Sequence, residues 1–273
     1  MRWVYVVALY YSVCAASAAA YDEFMRGMEA NHANDADLAI TEFTSALNAG
    51  DLAAAYVPDA YFGRASAYLQ KQRCAAALAD LDEALKARPK FLPAYYARAN
   101  ANACLDKGDT VRADLDKVIE IAPTTGAYRS RGSYYWNHAQ FAQAADDFAQ
   151  SLKLPPKSGF NLLWFAISAS RAGTLDLADF GRKVSDLDLD DWPAPLLDFF
   201  RGKVTADDVY RKAARGDGEV PANQKCEADF YIGEWRLIAK DPSAKSLIQQ
   251  AEQECPRNFV EYSAAHEELK RVP

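Results

Sequence analysis

The sequence predicts an all-α fold, a superhelical solenoid of antiparallel helix pairs with a C-terminal capping helix. Three observations point there. The segments YFGRASAYLQKQRCAAALADLDEALKARP, YYARANANACLDKGDTVRADLDKVIEIAP and YRSRGSYYWNHAQFAQAADDFAQSLKLPP align, and their closing prolines Pro89, Pro123 and Pro156 lie 34 and 33 residues apart. A fixed period of that length marks stacked supersecondary units, each unable to bury its apolar face alone. Small residues recur within the period. Numbering the units from Pro58, Leu92 and Thr125, position 8 is Ala65, Ala99 and Gly132, and position 20 is Ala77, Val111 and Ala144. Larger side chains fill the places around them: Tyr61, Tyr95 and Tyr128 at position 4, Tyr68, Asn102 and Tyr135 at 11, and Leu81, Leu115 and Phe148 at 24. Small residues let two helices approach closely, aromatic and aliphatic ones fill the space beside the contact, and the terminal proline ends the second helix by removing a donor.

The elements follow in order. Residues 1–20 carry Arg2 as their one charge, an apolar run from Trp3, and small residues Ala18 and Ala20 at the −3 and −1 places of a cleavage site. That pattern predicts a signal peptide cleaved after Ala20, hence export to the periplasm, with a membrane anchor through residues 3–20 as the alternative. The first unit, 21–53, places Gly27, Ala39, Phe43 and Ala46 at positions 8, 20, 24 and 27. Units at 58–91, 92–124 and 125–158 follow, and 159–188 reads as a degenerate hairpin with Gly173 in its turn. Residues 189–225 break the pattern as an irregular helical insert and loop. Residues 226–273 form a terminal unit, with Gly233, Ala244, Ile248, Ala251 and Pro256 at positions 8, 20, 24, 27 and 32, and a capping helix that puts Phe259, Tyr262 and Ala265 on one face.

The period, Tyr61/Tyr95/Tyr128, Ala65/Ala99/Gly132 and the terminal prolines resemble tetratricopeptide (TPR) repeats. The C-terminal order is a Trp-containing helix, FFRGKVTADDVYRKA, a loop, FYIGEWRL and NFVEYSAAHEEL. It makes most of residues 21–271 similar to bacterial periplasmic TPR adaptor lipoproteins that dock a tail-specific protease and peptidoglycan hydrolases. The resemblance implies a scaffold without catalysis of its own, working with envelope proteases or peptidoglycan hydrolases. Tyr11-Ser12-Val13 before Cys14 departs from the lipid-attachment pattern, which favours a chain free of an outer-membrane tether.

Within TPR geometry, Cys226 and Cys255 fall at one end of an antiparallel hairpin, as do Cys74 and Cys104 on successive antiparallel helices. Both pairs are expected to form disulfides in an oxidising compartment. Arg64, Arg98 and Arg131 share position 7, and Asp80, Asp114 and Asp147 lie 16 residues later at position 23. The constant offset predicts a ladder of structural ion pairs, with anion recognition by the arginines as the alternative.

Chemistry and nucleic acid are disfavoured. With 31 Lys+Arg against 38 Asp+Glu the formal net charge is −7, and the sequence pI is about 5.1. An acidic chain lacks the basic face nucleic acid requires. No G-x-S-x-G, H-E-x-x-H, Walker or G-x-G-x-x-G motif occurs, and no C-x-x-C suits zinc. His32, His138 and His266 fall on separate units. Asp186, Asp188, Asp190 and Asp191 have calcium-loop spacing, but Asp191 replaces the required glycine, so they read as a solvated helix end. No catalytic residue, metal or cofactor is expected.

Partner binding is expected on the concave face lined by the first helix of each pair: Phe62, Ser66, Leu69 and Gln70, then Tyr96 and Asn100, then Arg129, Ser133, Trp136 and Asn137. Aromatic rings mixed with amides suit an extended peptide or a partner helix. Asn100 resembles one element of a carboxylate-clamp TPR whose Lys and Arg are missing here. Three other readings are a structural homodimer that buries the groove between copies, an envelope enzyme with an active site that no motif reveals, and Tyr96 and Trp136 serving as core against a neighbouring helix or the C-terminal segment.

Overall fold

The computed structural model describes residues 18–272 apart from 188 and 216. Most of the leader expectation therefore lies outside the described residues. Described residues form helices joined by turns, without strands: α1 (18–32), α2 (Ala36–Asn48), α3 (Val57–Gln70), α4 (Cys74–Ala87), α5 (Leu92–Cys104), α6 (Gly108–Ile121), α7 (Thr125–Asn137), α8 (Phe141–Ser151), α9 (Gly159–Arg171), α10 (Leu177–Ser185), α11 (Ala194–Phe200), α12 (Ala206–Ala213), α13 (Val220–Ile238), α14 (Ala244–Glu254) and α15 (Val260–Leu269). The chain divides into two compact units between Ala122 and Pro123.

In the first unit α1 to α6 pack as successive helix pairs. Phe24, Ala39, Phe43, Ala46 and Ala60 form one buried cluster, and Ala65, Ala77, Leu81, Ala84, Ala94 and Ala101 the next. Pro58 and Pro93 sit in the first turns of α3 and α5, where the missing N–H costs no hydrogen bond. In the second unit α7, α8 and α9 stack, and the core gathers Trp136, Phe148, Trp164, Phe180, Phe200, Phe230 and Tyr231.

Positions 8 and 24 exchange volume within a pair. Where 24 is Phe43 or Phe148, position 8 is Gly27 or Gly132; where 24 is Leu81 or Leu115, position 8 is Ala65 or Ala99. A Cβ on Gly27 would stand 2.9 Å from the Phe43 ring, and one on Gly233 2.9 Å from Ile248. Close packing leaves no room for both a bulky residue and a methyl at that crossing.

One turn geometry recurs six times. Asn34, Gln72, Asp106, Ala139, Gly173 and Lys240, the residues after the first helix of each pair, all have φ between 55° and 72°. Around Gln72 the Arg73 N–H donates to Tyr68 C=O at 2.8 Å and the Gln72 N–H to Leu69 C=O at 3.0 Å, the Schellman pattern that satisfies a helix's last carbonyls. Five different side chains besides glycine adopt it, because stacking of the two helices dictates the turn.

One expectation needs correction. Residues 220–225 are helical, since α13 starts at Val220 with Pro221 in its first turn, so Cys226 lies inside a helix instead of opening one. In α15, Glu261 and Glu268 are buried along with Ala264 and Ala265, because both carboxylates have partners inside the second unit.

Candidate partner-binding faces

The arginine ladder is built from bidentate pairs. Arg64 Nε and Nη2 donate to Asp80 Oδ2 and Oδ1, both at 2.8 Å, and Nη1 donates to Thr44 Oγ1 at 3.0 Å. Arg98 Nη2 reaches Asp114 at 2.6 Å and Nη1 reaches Asp82 at 2.8 Å, while Asn102 Nδ2 donates to Asp114 at 3.3 Å. Arg131 Nε and Nη2 hold Asp147 at 2.8 and 2.7 Å. Asp80, Asp114 and Asp147 are buried, and the hydrogen bond from Arg64 to Asp80 outweighs burial to hold the guanidinium proton more tightly. These forks are turned inward onto carboxylates. Asn102, standing where other units have tyrosine, is a buried amide feeding the same network.

The four cysteines also come together in pairs. The Cα atoms of Cys74 and Cys104 are 6.2 Å apart and those of Cys226 and Cys255 5.1 Å, with sequence separations of 30 and 29. Both spacings lie in the range a disulfide requires.

In the first unit the candidate face lies on α3 and α5. Phe62 is half-buried with its ring 5.2 Å from Phe91, and the Ser66 hydroxyl donates to the Phe62 carbonyl at 2.9 Å. Leu69 and Tyr96 are half-buried, while Gln70 and Asn100 are exposed. Two partly open rings, an aliphatic side chain and two amides thus share one row of helix faces.

The second unit is different. Trp136 was expected on the open face and is 0% exposed, enclosed by Phe141 and Trp164 at centroid distances of 5.0 and 5.3 Å. Asn137 is occupied through its carbonyl, which accepts a hydrogen bond from Arg271. Trp136 is thus covered by the neighbouring helices α8 and α9, while α15 packs against α7 and brings Arg271 to the Asn137 carbonyl. Arg129 remains exposed and Ser133 half-buried.

A buried charge network fastens that helix. Arg171 Nη1 donates to Glu234 Oε2 at 3.0 Å and to Glu268 Oε1 at 2.8 Å, and Arg271 Nη1 donates to Glu268 Oε2 at 3.0 Å. The Arg171 guanidinium lies 4.4 Å from the Phe141 ring centroid. Burial, then the charge of Glu268, pushes the Glu234 carboxyl up to about 8. Beside it Tyr231 donates to Glu261 at 2.8 Å and the Trp192 indole to Glu227 at 2.5 Å. Burial lifts Glu227 to about 7, the indole hydrogen bond opposes it, and Glu261 adds to it. Sequence reading missed Arg171, Glu234, Glu268 and Arg271, whose separations of 63 and 97 residues follow no repeat period.

Among the described residues no cluster of three or more His, Cys, Asp or Glu side chains could hold a metal ion, and no helix is long and apolar enough to cross a membrane.

No family model matches the chain. It is 28% identical over 121 residues to Tetratricopeptide repeat protein 13 of Homo sapiens, covering 42% of this chain and 14% of that one. It is 31% identical over 112 residues to Tetratricopeptide repeat protein 6 of Homo sapiens, covering 40% and 21%. The chain therefore spans less than a quarter of the length of these relatives. Among solved structures, a tetratricopeptide repeat protein of Parabacteroides merdae superposes with a TM-score of 0.59 at 16% identity, over 91% of this chain and 98% of that one. The chain has a TPR-type helical-repeat fold. The structure of MamA protein matches with a TM-score of 0.53 at 16% identity, over 64% of this chain and 98% of the other, again a likeness of fold. TPR-type neighbours support a role in protein–protein interaction.

Proposed function

We propose that this TPR protein is a non-catalytic scaffold of the bacterial cell envelope that binds an extended peptide or partner helix on the α3–α5 face of its first unit. The single observation behind the reading is a contrast between units. In the second unit the corresponding Trp136 ring is fully buried and the Asn137 backbone carbonyl is taken by Arg271, whereas Phe62, Leu69, Tyr96 and Asn100 retain solvent-accessible surface. Partly open aromatics flanked by amides bury area at low entropic cost while the amides fix a peptide backbone. The reading of an envelope location is supported by the apolar leader pattern of residues 1–20 and by four of the five cysteines standing in two pairs at disulfide distance, as suits an oxidising compartment. The partners in view are envelope proteases or peptidoglycan hydrolases, as the resemblance implies.

The test is capture from an envelope extract by the full chain, with identification of what is retained. Changing Tyr96 and Asn100 to Ala together should abolish retention while leaving thermal unfolding unchanged. Full retention by that variant, or capture of nothing but a second copy of the chain, sinks the reading.

A further inference from the structure

We propose that the trough between α8 and α10, floored by α9, binds an amphiphilic carboxylate: an apolar body ending in one anionic group. The site arises where the repeat departs from its pattern. In the pairs α7–α8 and α13–α14 the second helix lies closely along the first, but α10, nine residues long with Phe180 as its buried residue, packs only lightly on α9. The gap holds a cavity of about 620 Å³, a volume in the range of small-molecule sites.

Its walls divide by chemistry. Leu152 at the end of α8, Phe165 on α9 and Leu187 beyond α10 are half-buried around it, with Leu162 beneath. Lys153 and Lys157 stand together on the α8 side. The Lys153 ammonium reaches the neutral Gln150 amide at 3.2 Å, and Lys157 is exposed. On the α10 side Lys183 is paired with Asp179 and lies 5.9 Å from the Phe165 centroid, so its charge is already answered, and the exposed Asp186 carboxylate makes this the acidic side, which directs an anionic group to the opposite, α8 side.

The α8 side is thus cationic in a chain of net charge −7, and it borders apolar surface left wet by the splayed helix. A ligand that covers Leu152, Phe165 and Leu187 while delivering one negative charge to Lys153 and Lys157 satisfies both walls. A phosphate or nucleotide leaves the apolar wall unused, and a neutral lipid leaves the lysines unanswered. A free amphiphilic acid and a peptide C-terminus with apolar last residues both supply this chemistry.

The probe is dansyl-labelled undecanoate, titrated into the full-length chain and read by dansyl emission. Saturable one-to-one binding with a blue shift is expected. Leu187→Asp and the double variant Lys153→Glu/Lys157→Glu should each weaken it about tenfold or more, with unchanged thermal unfolding, whereas Leu38→Asp, at an exposed leucine of the first unit, should bind as the parent. Displacement by decanoate alone supports the site and assigns it to a free acid. Displacement by N-acetyl-Phe-Leu-Leu as the free acid, but not as its amide, supports it and assigns it to a peptide end. Absence of saturable binding, equal affinity in the parent and both trough variants, or displacement by neither competitor overturns the proposal.

Discussion

Gly63→Ala should destabilise the first unit, although the same change normally stabilises a helix. Gly63 lies in α3, and a Cβ there would meet the Phe43 ring at 2.7 Å from Cε2 and 3.0 Å from Cε1, with Cζ nearer still. The ring cannot step aside, because a Cβ built on Gly27 would be 2.9 Å from Cδ1 and Cε1 of the same side chain. Phe43 is 0% exposed and fills the space between the backbones of α1 and α3. Overpacking a closed site costs about 1–3 kcal/mol, and the close approach to the Phe43 ring puts this site in the upper half of that range; replacing a mid-helix glycine returns roughly 0.8–1 kcal/mol, so the net expected loss is about 1–2 kcal/mol. Urea unfolding followed by far-UV circular dichroism reads the shift in midpoint. Phe43→Leu vacates part of the space, so adding it to Gly63→Ala should cost less than the two changes summed, with a coupling of about 1 kcal/mol. Gly181→Ala, in α10 with nothing within 4 Å of the new Cβ, is the control and should stabilise slightly. A Gly63→Ala chain as stable as its parent, or strict additivity in the double variant, refutes the close fit of Phe43 between α1 and α3.

Ala139→Gly should stabilise by about 0.5–1 kcal/mol and Gly173→Ala should destabilise by a similar amount, because both residues sit at positive φ where a Cβ is strained; the same urea assay reads both, and opposite signs would contradict the turn assignment. If the cysteine pairs are bonded, each closes a loop of about 30 residues worth about 3–4 kcal/mol of denatured-state entropy, so reduction should lower the unfolding midpoint markedly and denatured, unreduced protein should show no thiol at Cys74, Cys104, Cys226 or Cys255. Stability should fall as pH rises from about 5 to 8, since Glu234 at about 8 and Glu227 at about 7 hold protons in the folded chain that their unfolded counterparts release near the ordinary value of 4.5. Glu234→Gln should flatten that slope in unfolding midpoints measured across the range, and an unchanged slope would show that Glu234 does not bind the proton.

What could be read from the sequence was what repeats. Position 8, position 24 and the Arg64–Asp80, Arg98–Asp114 and Arg131–Asp147 offsets are contacts inside one helix pair, so each recurs with the period and is visible three times over. The turn conformation also recurs, yet it was invisible. Gln72, Ala139 and Lys240 carry no intrinsic preference for positive φ, and tertiary stacking imposes it. The face on α7 was misread for a third reason. Trp136 occupies a position that an open solenoid would expose, and rings from α8 and α9, Phe141 and Trp164, enclose it, the reading in which it serves as core against a neighbouring helix.

The return of α15 onto the second unit explains why charged residues of α15 are buried. A helix docking on an aromatic surface by apolar contact alone could slide by a turn. The fixed fork of Arg171, seated 4.4 Å from the Phe141 centroid and bound to Glu234 on α13 and Glu268 on α15, accepts only one register. Buried ion pairs contribute little net stability compared with apolar side chains of the same shape, but breaking one is costly because the remaining charge is stranded. Arg171→Met should therefore destabilise strongly by leaving the Glu268 carboxylate with Arg271 alone and the buried Glu234 carboxyl without its hydrogen-bond donor. Arg171→Met with Glu234→Leu and Glu268→Leu should recover much of the loss, at the expense of the fixed position of α15. Protection of α15 amides from hydrogen exchange separates the two effects: a triple variant that melts near the parent temperature but exchanges faster in 260–269 bears out a register role, and one that keeps full protection there rules it out.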